Sequence, residues 1–265
     1  MHALKKLPEA TVAAHLRNEW LVFAYCPTAL FSLKTSRATS TVGKSLLIPT
    51  PYAVKMAFVD AALRHGLTHG LTSDSEGLVR MLAEAQVRIG VPNHACVTGT
   101  IQRVRQETRM EERKSDRRVP YYRPTIAMRE VVSYSGLLTV AFDLASCSET
   151  LADLLVRAAP AINYFGKRGS FMQYCGMERR NVLDGSFTQP VQPFDAGHSA
   201  PCQMAMLDDF GPGATFDALN SFAPTEIKRG VHRKFVETAI PFELQNFGFG
   251  FTHYALLRRQ DGTPR

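Results

Sequence analysis

The succession of periodicities along this chain of 265 residues predicts an α+β fold with an antiparallel sheet. Two observations carry that expectation. Branched and aromatic runs alternate with helical stripes in the order strand, helix, strand, strand, helix, strand, which is the split βαβ of a ferredoxin-like (RRM-like) unit. After about Met177 the composition loosens, with Pro190, Pro193, Pro201 and Pro212 among several glycines, so a smaller β-rich region is expected to follow. The expected division is therefore a ferredoxin-like domain over 1–177 and a β-rich extension over 178–265.

Each element has a local reason. Residues 19–26 are aromatic and branched and stop at Pro27, which reads as the first strand. Ile48-Pro-Thr-Pro51 opens a helix, with Pro51 in the first turn, where its missing N–H costs nothing, and Thr50 as cap. Tyr52, Met56, Val59 and Leu63 recur at helical spacing, Lys55, Asp60 and Arg64 fall off that stripe, and Gly66 ends it. A second helix is expected over 75–89, with Leu78, Leu82 and Val87 inward. From Pro92 the period becomes two, so 94–104 reads as a strand, and 124–134 and 136–144 as two more divided by a Ser-Gly turn. Ser146-x-x-Glu149 reads as a capping box before a helix carrying Leu151, Leu154, Leu155 and Ala158. A glycine-bearing basic loop over 165–171 runs into the next strand, and 235–244 and 249–257 are the closing strands. The sheet is expected to carry helices on one face and leave the other free for a ligand.

Composition narrows the function. Lysine and arginine number 31 against 24 acidic residues, a net charge of +7, a mild lean toward a polyanionic partner. No run of 18 apolar residues exists and the N-terminus lacks a secretory core, so a cytoplasmic protein without a membrane span is expected. Five well-separated cysteines with no CxxC pair suggest neither a zinc site nor a disulfide framework. No cofactor is expected.

The charge is concentrated. Residues 103–123 hold eight basic residues (Arg103, Arg105, Arg109, Arg113, Lys114, Arg117, Arg118, Arg123) against four acidic ones, a surplus of +4. The segment is too polar for a core and is expected to protrude over about 105–123. Arginine pairs bidentately with phosphate, and Tyr121 and Tyr122 offer rings on which unpaired bases stack. A solvated hairpin neutralised by Glu107, Glu111, Glu112 and Asp116 gives the same composition. Gly166-Lys-Arg-Gly169 is a second candidate, since glycines let a backbone approach phosphate oxygens while Lys167 and Arg168 add charge. Its alternative is a tight helix-to-strand turn. Lys34, Arg37 and Lys44, spaced among serines and threonines, form a third, suited to backbone phosphates. Catalytic patterns are poor: no HExxH, no GxSxG and no Walker loop occur. Asp208-Asp209 reads as a turn, and His232, between Arg229 and Arg233, is the candidate acid or base for RNA cleavage.

Taken in order, the first strand, the Ser/Thr/basic loop, Ile48-Pro-Thr-Pro51, the basic insertion, Arg123-Pro-Thr-Ile-Ala-Met-Arg-Glu130 and the glycine loop resemble the Cas-five family of CRISPR-associated RAMP proteins. The resemblance covers about 19–177. It implies a non-catalytic subunit of a type I Cascade complex, in antiviral defence, that caps the 5′ handle of the crRNA. The family's thumb hairpin would correspond to 105–123 and its glycine loop to Gly166–Gly169, with Lys34, Arg37 and Lys44 on the same face and Arg129 a further RNA-binding candidate. Implied neighbours are a Cas-seven-family backbone subunit, the large Cascade subunit and, through the complex, target DNA. The glycine loop is shorter than in the Cas-six RAMP nucleases, and the tyrosine, lysine and histidine of cleaving Cas-five proteins have no matching positions here. The alternative is a metal-independent endoribonuclease acting on CRISPR repeat RNA.

Overall fold

The computed structural model describes residues 19–35, 44–69, 71, 74–116, 118–191, 202–220, 222–223 and 225–258. It is an α+β protein with antiparallel sheets. The first sheet is built from β1 (Trp20–Pro27), β2 (Val87–Gly90), β5 (Leu138–Asp143) and β6 (Met172–Arg180), in the spatial order β2-β5-β1-β6 with every neighbouring pair antiparallel. Helices α1 (Pro51–Arg64) and α2 (Asp74–Glu84) connect β1 to β2, and α4 (Glu149–Ala158) connects β5 to β6.

Why these helices form where they do is visible at their ends. Thr50 accepts a hydrogen bond from Ala53 N at 3.1 Å, with Pro51 immediately inside. Ser148 caps α4 by accepting from Leu151 N. Ser146, expected as that cap, instead closes a short turn, accepting from Gln86 N and donating to Asp143 O. The helices bury Val54, Phe58, Leu78, Leu82, Leu151 and Leu155 against Leu21, Phe23, Val140 and Phe142 of the sheet. Phe23, Phe58 and Phe142 meet in a triangle with ring centres 5.1–6.2 Å apart.

Several expectations are corrected. Helix α2 stops at Glu84, and 87–90 is an edge strand pairing with β5. Strand pairing there wins over the helical spacing because Ile89 gains full burial and Gly90 fits against Thr139 and Phe187, where any Cβ would clash. The expected strands 94–104 and 124–134 exist, as β3 (His94–Glu107) and β4 (Tyr122–Ser135), but they leave the first sheet. They form a second sheet with β10 (Phe242–Gly248) and β11 (Phe251–Leu256), in the order β10-β11-β3-β4. The expected strand 235–244 is two strands in different sheets: β9 (Arg233–Ile240) pairs with β8 (Gln203–Phe210) and the short β7 (Gln189–Pro190), and Pro241 separates it from β10. The face opposite the helices is not free, since Phe187 packs on Val22 and Ala141 with Leu183 and Trp20 beside it.

The C-terminal strands are tied to the rest by charge as well as pairing. Lys55, expected on the polar side of α1, is wholly buried, with its Nζ 2.7 Å from Asp209 Oδ1. Asp208 and Asp209 therefore belong to strand β8 and not to a turn. Glu76 Oε2 accepts from Phe216 N at the start of a single helical turn, Phe216–Leu219.

Candidate nucleic-acid interface

Strands β3 and β4 pair without interruption from His94 opposite Ser135 to Glu107 opposite Tyr122. At about 3.3 Å per residue the paired arm is about 45 Å long, so the polar segment is the outer end of one continuous hairpin. Its tip is α3 (Met110–Ser115), closed by Thr108 N donating to Tyr121 O at 2.9 Å and Thr108 Oγ1 to Pro120 O at 2.7 Å.

Arg109, Lys114 and Arg118 are exposed at this tip. Tyr121 and Tyr122 are half-exposed and stand edge to face, ring centres 4.7 Å apart. Arg123 is less available than expected, because Glu112 Oε2 lies 3.1 Å from its guanidinium. Arg113 sits in the backbone of α3, its side chain outside the description, and Arg117 and Arg37 lie outside the described residues. Arg129 is half-buried lower on β4, opposite Thr100.

The other two basic features converge. Ser32 N donates to Ser170 Oγ, just past the glycine loop, and Ser32 Oγ donates to Glu130 O on β4. Ser45 N, next to exposed Lys44, donates to Glu130 Oε2 at 2.8 Å, and Ser45 Oγ accepts from Leu33 N. Four hydrogen bonds of 2.8–3.2 Å thus bind the Lys34 loop, the Lys44 segment, the glycine loop and the root of the arm into one cluster. Gly166 and Gly169 have φ of +73° and +99°, which a side chain would strain, and Lys167 and Arg168 between them are exposed.

Beside the cluster opens a cleft of about 540 Å³ lined by Lys34, Lys167, Tyr52, Tyr164, Arg233 and Asp208 among others. Arg233 lies with its guanidinium carbon 3.8 Å over the Tyr52 ring, and its Nε is 3.1 Å from Asp208 Oδ2. Burial raises the Tyr52 phenol above its ordinary pKa despite Arg233 beside it, so the ring enters the cleft neutral. Tyr52, Tyr164 and Arg233 were not among the expected site residues. Tyr52 fits the apolar stripe of α1 and Arg233 figures only as a neighbour of His232; no local pattern links them. The hairpin tip stays apart from this cluster, about 26 Å along β4 from Glu130 to Tyr122.

His232 Nδ1 accepts from Lys228 N in its own turn, at 3.2 Å. His94 Nδ1 and His253 Nε2 lie 3.1 Å apart across β3 and β11. Among the described residues no three histidine, cysteine or carboxylate groups are placed to hold a metal ion, and no helix is long and apolar enough to cross a membrane.

No model of a known protein family matches the chain, and no curated protein matches it. Among solved structures it is similar to a CRISPR protein from Archaeoglobus fulgidus, with 14% sequence identity, 90% of this chain and 92% of that chain covered, and a TM-score of 0.43.

Proposed function

We propose that the chain is a non-catalytic RNA-binding subunit of a type I CRISPR Cascade complex, gripping the 5′ handle of a crRNA between its glycine loop, its Lys34–Lys44 loop and the basic arm. The observation that carries the reading is the hydrogen-bonded cluster of Ser32, Ser45, Glu130 and Ser170. It joins two basic segments distant in sequence, the Lys34–Lys44 segment and the glycine loop, to the root of the arm. The first sheet supports the ferredoxin-like, RAMP-type assignment, because taking β1, β2, β5 and β6 as strands one to four gives the order 4-1-3-2 of two interleaved βαβ units. The arm fills the place of the connection between strands two and three, where the resemblance puts a thumb. A Cas-seven-family backbone subunit, the large subunit and target DNA are the partners this reading brings, in the cytoplasm and without a cofactor.

The test is binding of a single-stranded handle RNA by the parent and by a Lys34→Ala/Lys167→Ala/Arg168→Ala variant over a salt series. Each lost phosphate contact should lower the log–log salt slope by about 0.7. An unchanged slope and affinity would remove the cluster from the interface. Incubating labelled repeat RNA with the protein in EDTA separates this reading from the endoribonuclease, which yields a defined product.

A further inference from the structure

The second sheet has one face that starts in the core and ends in open solvent. Register sets Phe247, Thr252, Val97 and Val132 side by side on it, and toward the core the same face carries Phe242, Tyr254, Ala95 and Tyr134. Side chains two apart share a face, so outward it continues with Ile101 opposite Met128, Arg103 opposite Ile126 and Arg105 opposite Pro124. Ile101 is 69% exposed and Phe247 72%. Phe249, in the turn between β10 and β11, is fully exposed, and Gly99 N donates to Gly250 O to hold that turn against β3.

The same face is cationic. Arg103 and Arg105 rise from it, and Lys44 stands at its root beside Ser45. Glu130 at the root already accepts from Ser45 N, and Glu107 lies at the far end opposite Tyr122. From Val97 to Arg103 the strip is about 20 Å long, room for a few unstacked nucleotides. What favours a polyanion over a protein partner is the row of cations: protein-docking patches are poor in Lys, and this face carries Lys44 together with Arg103 and Arg105. Here Arg103 sits among Ile101, Ile126 and Met128, which suits a chain that is anionic along one edge and flat and apolar along the other.

We infer that this face is a stacking platform for single-stranded RNA, which rests on the RNA-binding reading above and gives the C-terminal hairpin a function. Bases lie on Phe247 and Phe249 and against Ile101 and Met128, while Arg103 and Arg105 hold phosphates. Stacking on exposed rings tolerates any base, so the platform grips RNA without reading its sequence.

The experiment follows a labelled oligouridine by fluorescence anisotropy over a salt series. A Phe247→Ala/Phe249→Ala variant removes two exposed rings that support no core, and circular dichroism checks its fold. Its affinity should fall about 5- to 150-fold per stacked base with the salt slope unchanged. Arg103→Ala/Arg105→Ala should lower the slope by about 1.4. A Phe249→Trp change should retain binding. If the phenylalanine variant binds as the parent does while the Lys34/Lys167/Arg168 variant is weakened, the platform is wrong and the RNA-binding reading stands. If the parent binds no better than an unrelated protein of equal charge, both fall. A loss of self-association by the phenylalanine variant, with RNA affinity intact, would overturn the platform in favour of a contact between copies.

Discussion

Lys55 Nζ lies 2.7 Å from Asp209 Oδ1, an ion pair whose lysine is wholly sealed from solvent and which joins helix α1 to strand β8. Lys234 Nζ approaches the other carboxylate oxygen at 3.5 Å, on the more open side. The two lysines are not equivalent, and their variants should show it. Asp209→Asn strands a buried ammonium and is expected to cost about 3–5 kcal/mol. Lys55→Met leaves Asp209 with Lys234 and should cost less. Urea denaturation of the two variants gives both numbers, and equal losses would contradict the asymmetry.

The pH dependence of that pair has a definite sign. Burial pulls the Lys55 ammonium below its ordinary 10.5, with Asp209 opposing. The unfolded chain therefore holds this proton in a window below 10.5 where the folded chain has begun to release it. Stability rises with pH wherever the unfolded state binds more protons. The parent should gain stability relative to Lys55→Met as pH climbs from neutrality toward 10.5, seen as a widening difference in urea midpoints. A gap that narrows over that range would show Asp209 outweighing burial.

Gly166 and Gly169 make a paired test of the glycine loop. Both have positive φ, but a Cβ at Gly166 would also meet Leu33 Cδ1 at 3.0 Å, while Gly169 faces open space. Gly169→Ala is expected to cost about 1–2 kcal/mol from backbone strain alone. Gly166→Ala should cost more and should also shift Leu33, the neighbour of Lys34. Thermal melts rank the two, and RNA affinity reports the second effect.

Cysteine reactivity should follow environment. Burial pushes the Cys147 thiol up to about 11, whereas Cys175 is exposed on β6. Iodoacetamide near neutral pH should label Cys175 well before Cys147, because the thiolate is the nucleophile. Peptide mass mapping reads the order, and denaturant should abolish the difference.

The aromatic triangle offers a core check. Phe58 touches Phe23 and Phe142 across the helix–sheet boundary and is wholly buried. Phe58→Ala should cost about 3–5 kcal/mol by the same urea measurement. A loss below 1 kcal/mol would mean that the helices are not locked to the first sheet there.

Much of the fold was legible because it is local. Thr50 and Pro51 announce α1, the alternation of 94–104 announces β3, and the polarity of 105–123 excludes it from any core. What stayed hidden depends on partners far away in sequence. Nothing near Val87 says that β5 is waiting beside it, so helical spacing ran on through a strand. Lys55 looks like any surface lysine until β8 brings Asp209. The same holds for the site: Lys34, Lys44 and Gly166–Gly169 were found by type, but Arg233 over Tyr52 is a meeting of two elements that no motif spells. The apolar face of the arm was within reach, since Ile101, Ile126 and Met128 stand out in a polar stretch, but their shared side follows only from the register.

The chain enters and leaves the arm at one place. Asn93 and Gly136 flank it, with His94 opposite Ser135 as the first pair. The body fixes how the root faces, by burying Ala95 and Val132, but not how far the arm reaches beyond it. Reach is the number of pairs, and facing is whether that number is odd or even. Excising two residues from each strand would shorten the arm by about 7 Å and leave every side chain beyond the cut looking the same way. Excising one from each would roll the outer arm over, sending the Arg103 row where the Gln102 row had been.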